Sequence, residues 1–384
     1  MDLTQFDFII VGAGFFGSVV AERIARGLNK KVLVLEKRNH IGGNCFSEDD
    51  PETGIHYHKY GTHIFHTSNP VVWDYFIQFT EFNQYHHQVL TTYKNRVFQM
   101  PINLETINDF YRLNLKPYEV DAFLKTELDK ENYSHPENFE EKAVSLIGRP
   151  LYEAFIRGYT LKQWQMDPKF IPASTLTRLP FRKNYDESYY YSRWQGIPLH
   201  GFGDIFKKLL DHPNISVKLN TDYFDIRDQF PDKTTIIYTG PIDKFFDYKL
   251  GRLEYRTLVF EREVVPYEDF QGTSVMNYAE ESVPYTRIHE PRHLHPERTS
   301  YPKDKSLIFR EYSKLDTGEN PYYPINDQRN NQLLLRYRTL AKELKNVIIS
   351  GRLGAYKYYD MHDTIANALS VFDSLTHKVW NNGH

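Results

Sequence analysis

The sequence predicts an α/β protein with a Rossmann-like first unit, a helical insert and an antiparallel-sheet domain. Three observations carry that expectation. A run at 6–11, apolar but for Asp7, ends in the glycine pattern GAGFFG, Gly12 to Gly17. Helical periodicity fills the stretch from Leu104 to about Trp164. Short runs of alternating polar and apolar residues fill 253–312, as in strands with one buried face.

The first unit can be read residue by residue. Residues 6–11 are apolar but for Asp7, and the last four, Phe8 to Val11, run unbroken, as a strand buried on both faces requires. Gly12 allows the tight turn, Gly14 lets the backbone approach a pyrophosphate, and Gly17 lets the next helix pack close to the strand. That helix points its first amides at the phosphates. A second apolar strand, VLVL, runs into Glu36, which stands nineteen residues after Gly17 and is placed to accept from a ribose diol. An acid there, with no arginine pocket implied beside it, favours an unphosphorylated adenosine ribose. Without a ligand, the same pattern is a generic βαβ unit with a structural glycine turn.

A second glycine pair, Gly42 and Gly43, follows in EKRNHIGGN. Adjacent glycines let a loop lie flat against a ligand. This stretch resembles the extended fingerprint of FAD proteins of the glutathione-reductase type, which makes the expected cofactor FAD. The resemblance also sets Phe15, Lys37, Gly43 and Asn44 against it. At the far end, strand NVIISG (346–351) precedes a helix expected to start near Met361 to Asp363, with Ile365, Ala366, Leu369 and Phe372 at helical spacing. In that FAD family this turn closes over the flavin, and the helix N-terminus favours negative charge on the ring.

The cofactor domain is therefore expected to be discontinuous, at 1–75, 200–245 and 330–384. A helical substrate and dimer domain is expected at 101–198, and an antiparallel-sheet domain at 76–100 and 246–329. VLTTYKNRVFQM (89–100) reads as a hairpin turning at Lys94-Asn95. Ile107, Phe110 and Tyr111 form one helical stripe. Pro117 opens a second helix with Val120, Phe123 and Leu124, and a third carries Ala143, Leu146 and Ile147. Pro150 opens a fourth, with Tyr152, Phe155, Ile156 and Tyr159. TTIIYTGPID (234–243) is a buried strand ending in a Gly-Pro turn.

Composition narrows the function. The 47 Lys and Arg nearly balance 50 Asp and Glu, for a net charge of −3, so no general field points to nucleic acid. The single cysteine, Cys45, excludes an internal disulfide framework and fits a reducing cytosol. MDLTQFD lacks the basic start of a signal peptide, and no apolar run is long enough for a membrane span. The expected location is cytoplasmic. Aromatics reach 15%, a surplus suited to stacking on sugars or bases, though core packing absorbs much of it.

Longer motifs are more specific. GAGFFG, HIGGN, YGTHIFHT, FQMPINLETIN, GYTLKQW, PASTLTRLPFRKNYDESY, VMNY, VPYTRI, PYYPI and GRLGAYKYYDM run in order over nearly the whole chain. Together they resemble the UDP-galactopyranose mutases of the bacterial type. The resemblance implies interconversion of UDP-galactopyranose and UDP-galactofuranose, with no net redox change, through a covalent adduct at N5 of reduced FAD. The product supplies furanose sugar for surface polysaccharide. A homodimer is implied as well.

The resemblance also assigns residues. Arg178 and Arg287 match the arginines that compensate the diphosphate, and Tyr189, Tyr323 and Tyr358 match its phenol donors. Phe155, Tyr159 and Gln163 match the uracil pocket, Trp164 the substrate flank, and Asn277 the ribose or phosphate side. Arg352 and Met361 match positions near the flavin, Asp360 one near the substrate. His63 and His66 match the loop facing flavin and sugar. Arg178, Arg287, His63 and Asp360 form the implied catalytic set. Taken singly, the arginines would be surface ion-pair partners and the tyrosines core residues.

Two departures stand out. Thr62 occupies a position where the family usually has proline, and Ile156 follows Phe155 where it often has a second aromatic residue. Both leave room for a dTDP-linked 6-deoxyhexose or for UDP-N-acetylgalactosamine. A flavin oxidoreductase of the amine-oxidase type shares the first and last motifs, and a non-catalytic nucleotide binder is the third reading. Four histidines crowd HYHKYGTHIFH, but nothing completes a metal set around His56 and His58, so no metal is expected.

Overall fold

The computed structural model describes residues 3–131, 133–176 and 181–381. Among them, five strands form a parallel sheet. β1 (Phe8–Val11) is flanked by β2 (Val32–Leu35) on one side and by Thr235–Tyr238 on the other. Ile215–Lys218 and Val347–Ile349 close the two edges. Every residue of β2 is buried, which is why its apolar run is unbroken.

α1 (Phe15–Leu28) follows the glycine turn directly and ends at Asn29, whose left-handed φ of 51° supplies the cap. Its Val19, Val20 and Ile24 are fully buried against Phe202, Phe206 and Ile365. Each such side chain stabilises by about 1.5–3 kcal/mol. The helix Met361–Asn381 packs along α1 and starts where its periodicity predicts. The sheet's other face, with Ile9, Leu33, Leu35 and Tyr238, is covered by Tyr223 and the segment around it.

A second sheet has seven strands, running from Tyr323–Pro324 at one edge to Arg96–Met100 at the other. It is antiparallel except where Val275–Tyr278 lies parallel to Val89–Tyr93. That pairing joins an early hairpin to strands almost two hundred positions later, and alternation alone carries no signal for its direction. Lys94 and Asn95 both take positive φ, 49° and 59°, as the two-residue hairpin turn demands.

The insert packs around Ile107, Val120, Val144 and Tyr152. Leu146, read as a core position, is 41% exposed. The fourth helix is not a regular α-helix. Arg149–Leu151 is α-helical, Tyr152–Arg157 widens to a π-turn, and Gly158–Trp164 returns to α. Such widening re-aims the side chains that follow it.

Gly158 fixes how closely this helix meets the sheet. A Cβ there would stand 2.4 Å from the carbonyl oxygen of Ala279. Gly158→Ala should therefore cost about 1–3 kcal/mol through forced separation. Urea denaturation of the variant beside the parent checks this, and an unchanged midpoint would refute the close packing.

Candidate active site

A cavity of about 660 Å³ runs from the glycine turns to the strand Arg287–His289 in the second sheet. At the first end, backbone meets backbone. Gly43 lies against Gly14: a Cβ on Gly43 would come within 3.1 Å of the Gly14 Cα, and Gly42 N–H donates to the Ala13 carbonyl at 2.8 Å. A Cβ on Gly17 would fall 2.0 Å from the Gly12 oxygen. By contrast, a Cβ on Gly14 would meet nothing nearer than 3.8 Å, so its open side faces the cavity. Gly14 is also the N-cap of α1 and brings no capping side chain, so the first amides are left for a ligand. This cradle fits a pyrophosphate.

The Glu36 carboxylate accepts from Ala13 N–H and Arg38 N–H, both at 2.9 Å, and keeps lone pairs for a diol. An arginine does lie beside it, unlike the sequence expectation. Arg38 is committed elsewhere, however, stacked 4.4 Å over the Tyr60 ring and donating to Asn44 at 3.0 Å. Phe15, Lys37, Asn44, His63 and Met361 line the same cavity. So does Cys45, whose thiol is pushed up to about 12 by burial. Arg352 sits among three tyrosines, 5.1 Å from the Tyr322 ring, 5.8 Å from Tyr323 and 5.2 Å from Tyr358. It also donates to the Tyr322 carbonyl at 2.7 Å.

The far end is built on adjacent strands. Asn277 and Arg287 are directly opposed, so their side chains share a face. Arg287 and Glu311 are opposed on the next pair. Glu311 was not singled out by sequence, because an isolated acid in an alternating strand reads as solvent-facing. It is 2% exposed. Burial pushes its carboxyl up, but the Arg287 charge and the His289 hydrogen bond outweigh that and bring it down to about 2. Arg287 donates to the Tyr159 hydroxyl and holds its Nε 3.6 Å from Glu311. That Nε and the Asn277 Oδ1 are buried without a hydrogen-bond partner, in a wall that faces the cavity. Tyr189, Tyr323 and Tyr358 line it too.

Asp360 lines the cavity, 3.9 Å from His66, whose ring stacks on Tyr190 at 3.7 Å. These two and His362 bring ligand atoms within 4.8 Å of one another, as do Asp269, Glu290 and His293. His56 bonds Asp49 at 2.6 Å and His58 accepts from His63 N–H at 3.0 Å.

Four assigned residues do not line the cavity. Phe155 is 3% exposed in the insert core, edge-on to Phe98 at 5.0 Å. Trp164 packs against that core. Tyr159 stands behind Arg287, and the Gln163 carbonyl accepts from Ser313 at 2.6 Å. Arg178 lies outside the described residues.

Comparisons with known proteins bear on this arrangement. A family model for an NAD(P)-binding Rossmann-like domain matches residues 10–79. The model for UDP-galactopyranose mutase matches residues 154–358, which include most of the π-turn, the Arg287 strand and the Arg352 turn. The chain belongs to the UDP-galactopyranose mutase family. It is 42% identical to a probable UDP-galactopyranose mutase of Klebsiella pneumoniae, over 98% of this chain and 96% of that one. It is 39% identical to a dTDP-fucopyranose mutase of Escherichia coli, over 94% and 96%. A solved reduced UDP-galactopyranose mutase superposes with a TM-score of 0.75 at 16% identity, over 98% of this chain and 94% of that one, and so shares the fold. As a member of this mutase family the protein is an isomerase that acts on a nucleotide sugar. No helix among the described residues is long and apolar enough to cross a membrane.

Within this mutase fold, Lys162 is a second residue the sequence did not single out. Its ammonium donates to the carbonyls of Tyr278, Glu280, Val283 and Tyr285 at 2.6–3.0 Å. Thus the helix bearing Tyr159 grips the loop that leads into Arg287. Lys162→Met keeps the stem but strands these acceptors, and should cost about 2–3 kcal/mol. A thermal melt checks it, and an unchanged midpoint would show the cage to be dispensable.

His63 and His87 line the cavity as neutral imidazoles, burial lowering them from the usual 6.5 to about 4 and about 3. The unfolded chain takes up these protons near pH 6.5 and the folded one only later. Stability is then full above pH 6.5 and falls as the pH drops towards 3, by up to about 1.4 kcal/mol per group for each pH unit crossed. A melting series from pH 7 to 3 reads this directly; a flat profile would contradict neutral burial.

Proposed function

We propose that the chain interconverts UDP-galactopyranose and UDP-galactofuranose on FAD, and that the flavin must be reduced. The observation that carries this reading is the continuity of the cavity, from a pyrophosphate cradle to an arginine with an unpartnered buried Nε. The 42% identity to a galactopyranose mutase over nearly the whole chain supports the sugar.

In this reading Glu36 holds the adenosine ribose, and the Gly14 turn with Gly43 takes the dinucleotide's diphosphate. Phe15, Lys37, Asn44, Arg352 and Met361 complete the cofactor walls. Reduced flavin supplies a nucleophilic N5 for the anomeric carbon. Arg287 and Arg178 balance the charge that grows on the departing UDP, because planar guanidinium groups match diphosphate oxygens. Tyr189, Tyr323 and Tyr358 donate hydrogen bonds to the same diphosphate. Asn277 serves the ribose side, and Tyr159, off the cavity wall, backs Arg287. His63, whose Nδ1 meets the Gly61 carbonyl at 2.6 Å and which lines the cavity, serves the flavin and sugar side. Asp360 stands at the sugar's edge. The protein works as a homodimer in the cytoplasm and supplies furanose for surface polysaccharide.

A second reading has a specific support, the 39% identity to a dTDP-fucopyranose mutase. The test is anaerobic. Dithionite-reduced and oxidised protein are each given UDP-galactofuranose, and products are separated by chromatography. Conversion by the reduced sample alone is expected. Absence of conversion, with flavin bound, would overturn the galactose assignment, and dTDP-linked and N-acetylated sugars would follow. Arg287→Ala and Arg178→Ala should each lower kcat/KM by about a hundredfold or more with flavin retained.

A further inference from the structure

Thr62 opens the segment that carries His63 and lines the cavity. Its hydroxyl lies 2.8 Å from His289 Nδ1, on the second sheet. His289 Nε2 lies 2.9 Å from Glu311, and the other oxygen of Glu311 lies 3.6 Å from Arg287 Nε and 3.1 Å from the Thr286 hydroxyl. A continuous line of contacts therefore joins the cofactor-side loop to the arginine at the far end. His289 and Glu311 side chains are 4% and 3% exposed, so water does not complete this line.

The protons along it can be placed. Glu311 is ionised and can only accept, so His289 Nε2 carries a hydrogen. Burial keeps His289 neutral against the pull of Glu311, which leaves Nδ1 as a bare acceptor. Thr62 is then the donor. Proline, the residue expected here from the family pattern, has no donor to offer. The loop itself has little freedom to drift, since a Cβ on Gly61 would stand 2.9 Å from the Phe260 ring, which in turn meets His289 edge-on at 5.8 Å.

We propose that Thr62 is a positioning residue for the mutase reaction: by donating to His289 it fixes that imidazole on Glu311, which holds Arg287 ready for the substrate's diphosphate. The inference rests on the reading that Arg287 grips diphosphate. Without the hydroxyl, His289 is free to turn or to take a proton at Nδ1. Either change draws the Glu311 carboxylate off Arg287, and the guanidinium must then be ordered at the expense of ligand binding.

The test measures UDP affinity and steady-state kinetics on the flavin-loaded protein. Thr62→Val keeps the shape and removes the donor; Thr62→Ser keeps the donor. Thr62→Val is expected to weaken UDP and raise KM by about three- to tenfold, with flavin content unchanged and the fold retained. Thr62→Ser should stay within about twofold of the parent. In a Glu311→Gln background the Thr62→Val change should have no further effect on UDP affinity. Thr62→Val binding UDP like the parent, Thr62→Ser failing as Thr62→Val does, or full additivity with Glu311→Gln would each overturn the proposal. Arg287→Ala is the control for its premise. If that variant binds UDP normally, the diphosphate reading itself falls; if it loses UDP while Thr62→Val does not, only the role of Thr62 falls.

Discussion

The carboxylate of Glu311 is the charge on which the distal half of the cavity depends. Placing a guanidinium among tyrosine rings is costly unless an anion answers it, and an unanswered buried charge costs several kcal/mol. Glu311 answers Arg287 from the neighbouring strand, with Thr286 and His289 satisfying its remaining lone pairs. The pairing is deliberately incomplete. At 3.6 Å the Arg287 Nε makes a charge contact without a hydrogen bond. The cation is tethered by charge, and this Nε–H is left without an acceptor.

The two sheets share out the work by their construction. The parallel sheet supplies turns in which bare backbone lines the cavity, so glycines dominate there. The second sheet supplies side chains on facing positions of adjacent strands, so Asn277, Arg287 and Glu311 come together although separated in sequence. The helix Gly158–Trp164 braces that sheet from outside through Tyr159, Lys162 and Gln163.

This division explains what could be read from the sequence. Fold class and family were legible, because glycine turns have fixed spacing and the longer motifs are contiguous. Glu36 is marked by its spacing from the glycine turn and Met361 by the resemblance, and both line the cavity. Glu311, His289 and Lys162 were not found, because their partners lie on other segments and nothing in their own neighbourhood marks them as buried. Leu146 failed for a related reason: helical spacing shows which residues share a face and not how wide the covered stripe is. Phe155 was matched to a base pocket by motif, and the structure places it in the insert core.

Cys45 has a practical consequence. Alkylating reagents attack the thiolate, and a thiol pushed up to about 12 stays almost wholly protonated at neutral pH. It is also the chain's only cysteine. A cysteine introduced at an exposed site such as Tyr118, which is 82% exposed, would therefore react against a nearly silent background. Fluorophores or spin labels can be attached at one chosen point without first removing a native thiol, leaving the cofactor cradle untouched.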